Sequence, residues 1–563
     1  MCAFSYPVRM NGKAVPDNAA MKRRRRSEEM LERGVPRRAV LGAAAAMLTA
    51  GAGRAQDAAG PVVETAHGRY RGQVTDGVQV FKGMRYGAST AGAGRFMPPR
   101  PPEPFAGVRE AFEFGDQAPQ ARGGLAGSQP MSEDCLRINV WTPRSGDGRR
   151  RPVMLWFHGG GFEAGSGASP LYDGTNMVKR GDVVLCTINS RLNVFGFCDL
   201  SGCLGSDFAR SGNVGYLDLV RAMQWVRENI AGFGGDPNNV MIYGQSGGGR
   251  KVTVCFAGRE ASGLFHKGVV QSGSHLMVQT QEQSRALTER LLRRLAIDPR
   301  NARALQQVPQ EQLSAAQREV IGAAGYRFEP NLDGVSFTAH PFMPNAPAHT
   351  AKVPLIVGTA QHELAAQLGS MPGIHEIDEA GLRQRLTATM PAAHIDEAIR
   401  VFKASTPSGS ASEMFFKITS WRSYIRNATL MAERRAQLNG PDNPTWMYQV
   451  TWRSPVEGGR RFAQHSSDLP FMFDNVARGA RFTGPPSPAT QVMADSMAGA
   501  WLAFAHRGDP QHPGLPAWPP YDLENRSVMQ FDAPPRLASD PYRSERLFME
   551  RYSPVRATPG REG

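Results

Sequence analysis

Val240-Met241-Ile242-Tyr243-Gly244-Gln245-Ser246-Gly247-Gly248 is a short apolar run that breaks into a serine with glycines two residues to either side. The run has the length and composition of a buried strand, and the residues after it read as a helix. Ser246 is therefore expected on a strand–turn–helix elbow. A hydroxyl is a weak nucleophile. Such an elbow pushes it into the open and aims the next backbone N–H and the helix N-terminus at an oxyanion forming on its target. The G-x-S-x-G pattern occurs once in the chain, and on its own it is weak evidence.

A second motif supports the first. His158-Gly159-Gly160-Gly161-Phe162 follows the apolar run Val153-Met154-Leu155-Trp156-Phe157, which places it at the C-terminal end of an expected strand, where α/β proteins build ligand sites. Consecutive glycines let the backbone turn its N–H groups toward one point, as a tetrahedral oxyanion requires. A phosphate loop is the competing reading, but neither the G-x-x-x-x-G-K-[ST] spacing nor a dinucleotide-binding fingerprint surrounds it.

Farther out, residues 183–188, 353–359 and 446–452 also read as strands. Val220, Met223, Val226 and Ile230 keep helical spacing until Gly234-Gly235-Asp236-Pro237 breaks the pattern. Residues 280–330 and 375–435 are helix-rich and are expected to form cap regions. No linker or repeat divides 62–552, so 56–563 reads as a single α/β domain with a mostly parallel twisted sheet flanked by helices.

The formal net charge is +14, but residues 1–55 carry 11 Lys/Arg against 4 Asp/Glu, half of that excess. The remainder is scattered without a basic stripe or nucleic-acid motif, so nucleic-acid binding is not expected. Arg37-Arg38, a weakly apolar Ala/Gly-rich segment, and Gly53-Arg54-Ala55 before Gln56 read as a twin-arginine signal peptide over 1–55, cleaved near Ala55. Periplasmic or secreted localisation follows. The arginine pair lies far from Met1, which makes Met21 and Met30 candidate starts. No stretch approaches the roughly 18 apolar residues of a membrane-spanning helix, so stable membrane insertion is not expected.

Of the five cysteines after residue 55, Cys186 and Cys255 lie in apolar runs and read as buried thiols. Cys198 and Cys203 are close enough in sequence to close a small loop, with geometry left open. No Cys/His cluster has metal-ligand spacing, and neither metal nor cofactor is expected.

Taken together, the chain resembles the type-B carboxylesterase family of α/β-hydrolases, the group of para-nitrobenzyl esterases and cholinesterases. The resemblance runs from Phe81-Lys82-Gly83 through Ser132-Glu133-Asp134-Cys135-Leu136, the glycine-rich motif, Arg191-Leu192, the serine elbow and Gln271-Ser272-Gly273-Ser274. It ends at Leu469-Pro470-Phe471 and Trp518-Pro519-Pro520-Tyr521-Asp522. It implies Ser246 as nucleophile, Glu363 as acid and His465 as base, with oxyanion donors on the backbone of Gly160, Gly161 and Gly247. The order Ser, acid, His is that of α/β-hydrolases generally. His362, beside the acid, is a decoy by position.

The departures are specific. Gln245 and Gly247 stand where the family usually has Glu and Ala. Leu125 stands where cholinesterases stack choline on tryptophan. No cysteine near Ala118-Pro119-Gln120 could pair with Cys135, which is therefore expected free, and Arg85 and Asn193 replace the usual Pro and Gly. The resemblance thus implies a serine carboxylesterase acting through an acyl-enzyme on small to medium neutral esters in an apolar gorge. The alternatives are a specialist in aromatic, lactone or polyester substrates, or a non-catalytic cholinesterase-like binding protein. Oligomeric state is not legible.

Overall fold

Alternation along the strands divides the core. Val153, Leu155 and Phe157 pack with Val240 and Ile242 on one face of a sheet, while Met154 and Trp156 pack with Met241 and Tyr243 on the other. Side chains on a strand point to opposite faces in turn, so a run apolar at every position must be covered on both sides. The computed structural model describes residues 60–122, 127–324 and 326–552. The leader, Leu125 and the C-terminal tail lie outside them.

Eleven strands form the main sheet. They are β1 (Gln73–Thr75), β2 (Val78–Arg85), β3 (Arg137–Thr142), β4 (Arg151–Phe157), β5 (Val184–Ile188) and β6 (Gly235–Gln245), then β7 (Lys267–Gln271), β8 (Leu355–Ala360), β9 (Thr445–Val450), β10 (Ser527–Phe531) and β11 (Arg536–Ser539). The spatial order is β11-β10-β9-β8-β7-β6-β4-β5-β3-β2-β1. The seven central strands from β10 to β5 run parallel, and antiparallel strands close both edges. The expected mostly parallel sheet is present. Strands at Val62–Thr65, Gly68–Arg71 and Val108–Glu110 form a small second sheet that the sequence reading did not identify.

The helices that matter for the site are α1 (Val214–Asn229), α2 (Gly247–Ala257), α3 (Gln281–Arg294) and α4 (Gln310–Ala324), followed by α5 (Glu379–Leu386), α6 (Ile395–Ser405), α7 (Ala411–Ser420), α8 (Arg426–Asn439) and α9 (Pro488–Arg507). α3 and α4 fall within 280–330, and α5 to α7 with the start of α8 fall within 375–435, with their own apolar cluster around Phe402, Phe416 and Ile418. The described residues from Pro61 onward form one compact unit. No helix among them is long and apolar enough to cross a membrane. Cys135, Cys186, Cys198, Cys203 and Cys255 are all free thiols, so Cys198 and Cys203 are not bridged. The Sγ of Cys198 instead lies 3.5 Å from Thr288 Oγ1 on α3.

Candidate active site

Ser246 joins β6 to α2 with φ 57° and ψ −122°. A non-glycine residue rarely adopts this conformation, which costs on the order of 1–3 kcal/mol and persists only where its surroundings enforce it. Here Ser246 N–H donates to Gln271 O at 2.7 Å, and Ser246 O accepts from Arg250 N–H at 3.0 Å. The crossing is tight as well, because a Cβ on Gly248 would lie 1.9 Å from Phe157 O at the end of β4.

The glycine-rich motif leaves β4 with φ 93° at Gly160 and 65° at Gly161. A Cβ on Gly247 would lie 2.2 Å from both Gly161 N and Gly161 O, so the loop backbone rests directly on the first residue of α2. Carbonyls along the loop are engaged. His158 Nδ1 lies 2.8 Å from Gly159 O, and Gly160 O accepts from Glu163 N–H at 3.2 Å and Ala164 N–H at 3.0 Å. Lys251 Nζ donates to His158 O at 3.0 Å and to Gly161 O at 3.1 Å. Among the described residues, no acceptor takes the N–H of Gly160 or Gly161, which leaves these donors for a ligand.

Glu363 lies three residues past β8 and is fully buried. Its Oε1 accepts from Ala360 N–H at 2.7 Å, and its Oε2 pairs with His465 Nδ1. The loop after β9 is held to it again by His465 N–H donating to Glu363 O at 3.3 Å. Tyr424, between α7 and α8, sets its ring 5.0 Å from the imidazole. The parallel neighbours β8 and β9 thus bring together two residues about a hundred positions apart.

Among the described residues, no hydrogen bond joins Ser246 to His465. The Nε2 edge of the imidazole is instead faced by Gln245 Nε2 at 3.2 Å, and Gln245 Oε1 accepts from Ser466 Oγ at 3.1 Å. That orientation suits the tautomer protonated at Nδ1, whose hydrogen goes to Glu363 and whose Nε2 lone pair is available to a donor. Catalytic hydrogen bonds are commonly long or absent before substrate is bound.

His362 turns away from this pair, with its Nε2 3.4 Å from Glu413 Oε1. His158 is buried in the loop, where burial and then the charge of Lys251 push its imidazole down to about 3. Two groups without a role in the sequence reading belong to the site's support. Asp468, three residues after His465, accepts from Gln271 Nε2 at 2.8 Å and Tyr448 OH at 3.2 Å. Burial, aided by the charge of Glu363, raises its carboxyl to about 6. Lys251 is the other, and burial together with the charge of Arg250 lowers its amine to about 7. Neither residue carries a signal of this role in the sequence.

The residues that depart from the family pattern find partners. Asn193 takes φ 50° and donates from Nδ2 to Pro119 O at 2.8 Å and Glu163 O at 3.2 Å, tying the exit of the glycine loop. Gln120, near the missing cysteine, exchanges two bonds with Gly165, at 2.7 and 3.0 Å. Arg85 pairs with Asp134. Charged groups stand beside the loop. Glu163 pairs with Arg327, and burial raises the Glu329 carboxyl to about 7 against the opposing charges of Arg250 and Arg327.

The profile described as Carboxylesterase family matches residues 59–549. The para-nitrobenzyl esterase of Bacillus subtilis strain 168 is 31% identical over 497 residues, covering 86% of this chain and 97% of its own. Among solved structures, a carboxylesterase of Geobacillus stearothermophilus superposes with a TM-score of 0.75 at 36% identity, covering 86% of this chain and 99% of its own. An esterase of Clostridium hathewayi, described as able to hydrolyse aliphatic aromatic polyesters, superposes at 0.76 with 32% identity, covering 87% and 98%.

Proposed function

The chain belongs to the carboxylesterase family and is a carboxylic ester hydrolase of the α/β-hydrolase fold, and from that premise we propose that Ser246, His465 and Glu363 form its catalytic triad. The pairing of His465 Nδ1 with buried Glu363, at the strand ends beside the Ser246 elbow, is the observation that carries this reading. His465 takes the proton of Ser246 as the hydroxyl attacks the ester carbonyl, and Gln245 gives up the Nε2 edge to Ser246 in that step. The N–H groups of Gly160, Gly161 and Gly247 receive the oxyanion. The imidazolium then protonates the leaving alcohol, and Glu363 holds the ring and stabilises its charge. Water repeats the sequence on the acyl-enzyme.

The proposed substrates are small to medium neutral esters. Hydrolysis of para-nitrophenyl esters from acetate to dodecanoate tests this directly. Ser246→Ala is expected to lower kcat by about 10⁴-fold or more while leaving the fold intact. A Ser246→Ala protein that retains more than a hundredth of the rate would overturn the assignment. Polyester cleavage is a second reading, favoured by the likeness to the Clostridium esterase. Release of soluble aromatic acid from a polyester film would support it.

We also propose export. The paired arginines, the Ala/Gly-rich segment and the small residues before Gln56 support a twin-arginine leader. The exported protein is expected to begin at or near Gln56, and Arg37→Lys with Arg38→Lys is expected to hold it in the cytoplasm. N-terminal sequencing of the periplasmic fraction would show either outcome.

A further inference from the structure

We infer that Lys251 is the positioning residue of the oxyanion loop: from α2 its ammonium grips the carbonyls of His158 and Gly161 and so fixes the direction of the Gly160 and Gly161 N–H groups. The inference rests on the triad reading above and adds a residue to it.

Three glycines in succession have more backbone freedom than any other tripeptide, so a loop made of them points its N–H groups only as well as it is anchored. Four successive carbonyls, from His158 to Gly161, are anchored in this loop. Gly159 O is held by the neighbouring imidazole and Gly160 O by the turn that follows. The first and last are both held by Lys251, at 3.0 and 3.1 Å. One side chain thus ties down the two peptide planes that bracket the donors, and it does so from the helix whose first residue, Gly247, supplies the third donor. Nucleophile elbow and loop are locked into one unit.

The position is an expensive one for a lysine. Lys251 is 2% exposed, and burying an ammonium without an anion beside it is strongly unfavourable. The charged neighbour that bears on it is Arg250 on its own helix, which repels it, and the imidazole across from it on the loop is His158. A residue needed only to fill space at this point would be apolar. The charge matters because charge-assisted bonds are about twice as strong as neutral ones. As pH rises through about 7 the ammonium is lost and the grip on both carbonyls weakens, so turnover falls on the alkaline side.

The test is Lys251→Met, with active sites counted by fluorophosphonate labelling so that misfolded protein does not enter the rate. Per site, kcat for para-nitrophenyl acetate is expected to fall by about tenfold or more with KM within about twofold, because the loop acts on the oxyanion and not on the bound ester. Affinity for an alkyl trifluoromethyl ketone, whose hemiketal carries an oxyanion, falls in parallel, and the alkaline decline in kcat disappears. Lys251→Arg keeps a permanently charged donor and is expected to retain kcat to within about threefold of wild type, again without the decline. Wild-type kcat per site in Lys251→Met would overturn the inference. If neither variant folds, Lys251→Gln, a shorter neutral donor, takes their place, and wild-type kcat per site in that protein would overturn the inference. An active Ser246→Ala protein would instead remove the triad reading on which it stands.

Discussion

A methyl group at Gly247 would meet Gly161 N and O at 2.2 Å. Two backbones in such contact cannot yield as a flexible side chain would, so the loop itself would have to move. Gly247→Ala is therefore expected to lower kcat by about 10²-fold through misplaced oxyanion donors and to cost about 1–3 kcal/mol of stability through overpacking. Steady-state kinetics and urea unfolding measure the two, and a fully active variant would show that the loop is not fixed where it lies. Gln245 allows a complementary experiment. Its amide faces the imidazole from 3.2 Å, and a carboxylate there would stabilise the imidazolium, so Gln245→Glu is expected to move the acid limb of kcat/KM to higher pH by about one unit. An unmoved limb would place that side chain outside the electrostatics of the base.

At the scale of elements, the loop after β5 is tied to α1 by Arg191 and Asp218, which are 2% and 0% exposed. Asp218 accepts from Arg191 N and Nε at 2.9 Å each and from Nη2 at 2.6 Å, and Arg191 also donates to Met97 O at 2.7 Å. Removing one partner leaves the other charge buried and unpaired, so Asp218→Ala is expected to cost about 3–5 kcal/mol in urea unfolding. A loss below about 1 kcal/mol would mean that water reaches the guanidinium. The central strands were legible in sequence because each carries an apolar run bounded by breakers, Val153–Phe157 in β4 and Val183–Cys186 leading into β5, and both strands are buried at every position. β1 is exposed throughout and β11 nearly so, so neither carries an apolar signal, and pairing with a neighbour alone makes them strands. Ser246 and the glycine loop were legible for a similar reason, since local geometry dictates their residue types. Glu363 and His465 needed the family's register, because only the adjacency of β8 and β9 brings them together. Lys251 and Asp468 were not legible. A lysine on a helix reads as solvated until the packing around α2 is known, and an aspartate in a loop reads the same way.

For the whole molecule, buried titratable groups set how stability varies with pH, and their signs differ by window. Burial lowers Lys251 to about 7 and Lys267 to about 8, from the ordinary lysine value of 10.5. Between those values the unfolded chain binds protons that the folded chain does not, so stability rises with pH. The buried thiols act the other way, because burial raises Cys135, Cys186, Cys198 and Cys255 above the ordinary 9.0. Above that value the unfolded chain ionises first and stability is lost as pH climbs. Below neutrality, His158, His275 and His362 are all lowered by burial, so stability is lost as pH falls through the ordinary histidine range. Asp468 and Glu329, raised to about 6 and about 7, partly offset that loss. The urea midpoint is therefore expected to increase from pH 7 to a maximum near about 9 and to decline beyond it. Lys251→Met and Lys267→Met, where they fold, should each flatten the rise. A midpoint that is constant or falling between pH 7 and 9 would mean that these amines are hydrated in the folded state. Turnover, if Lys251 holds the loop as an ammonium, falls across the same interval in which stability grows. Lys251, buried beside the proposed oxyanion loop, then weakens the fold at neutral pH, where it still carries enough charge to hold that loop.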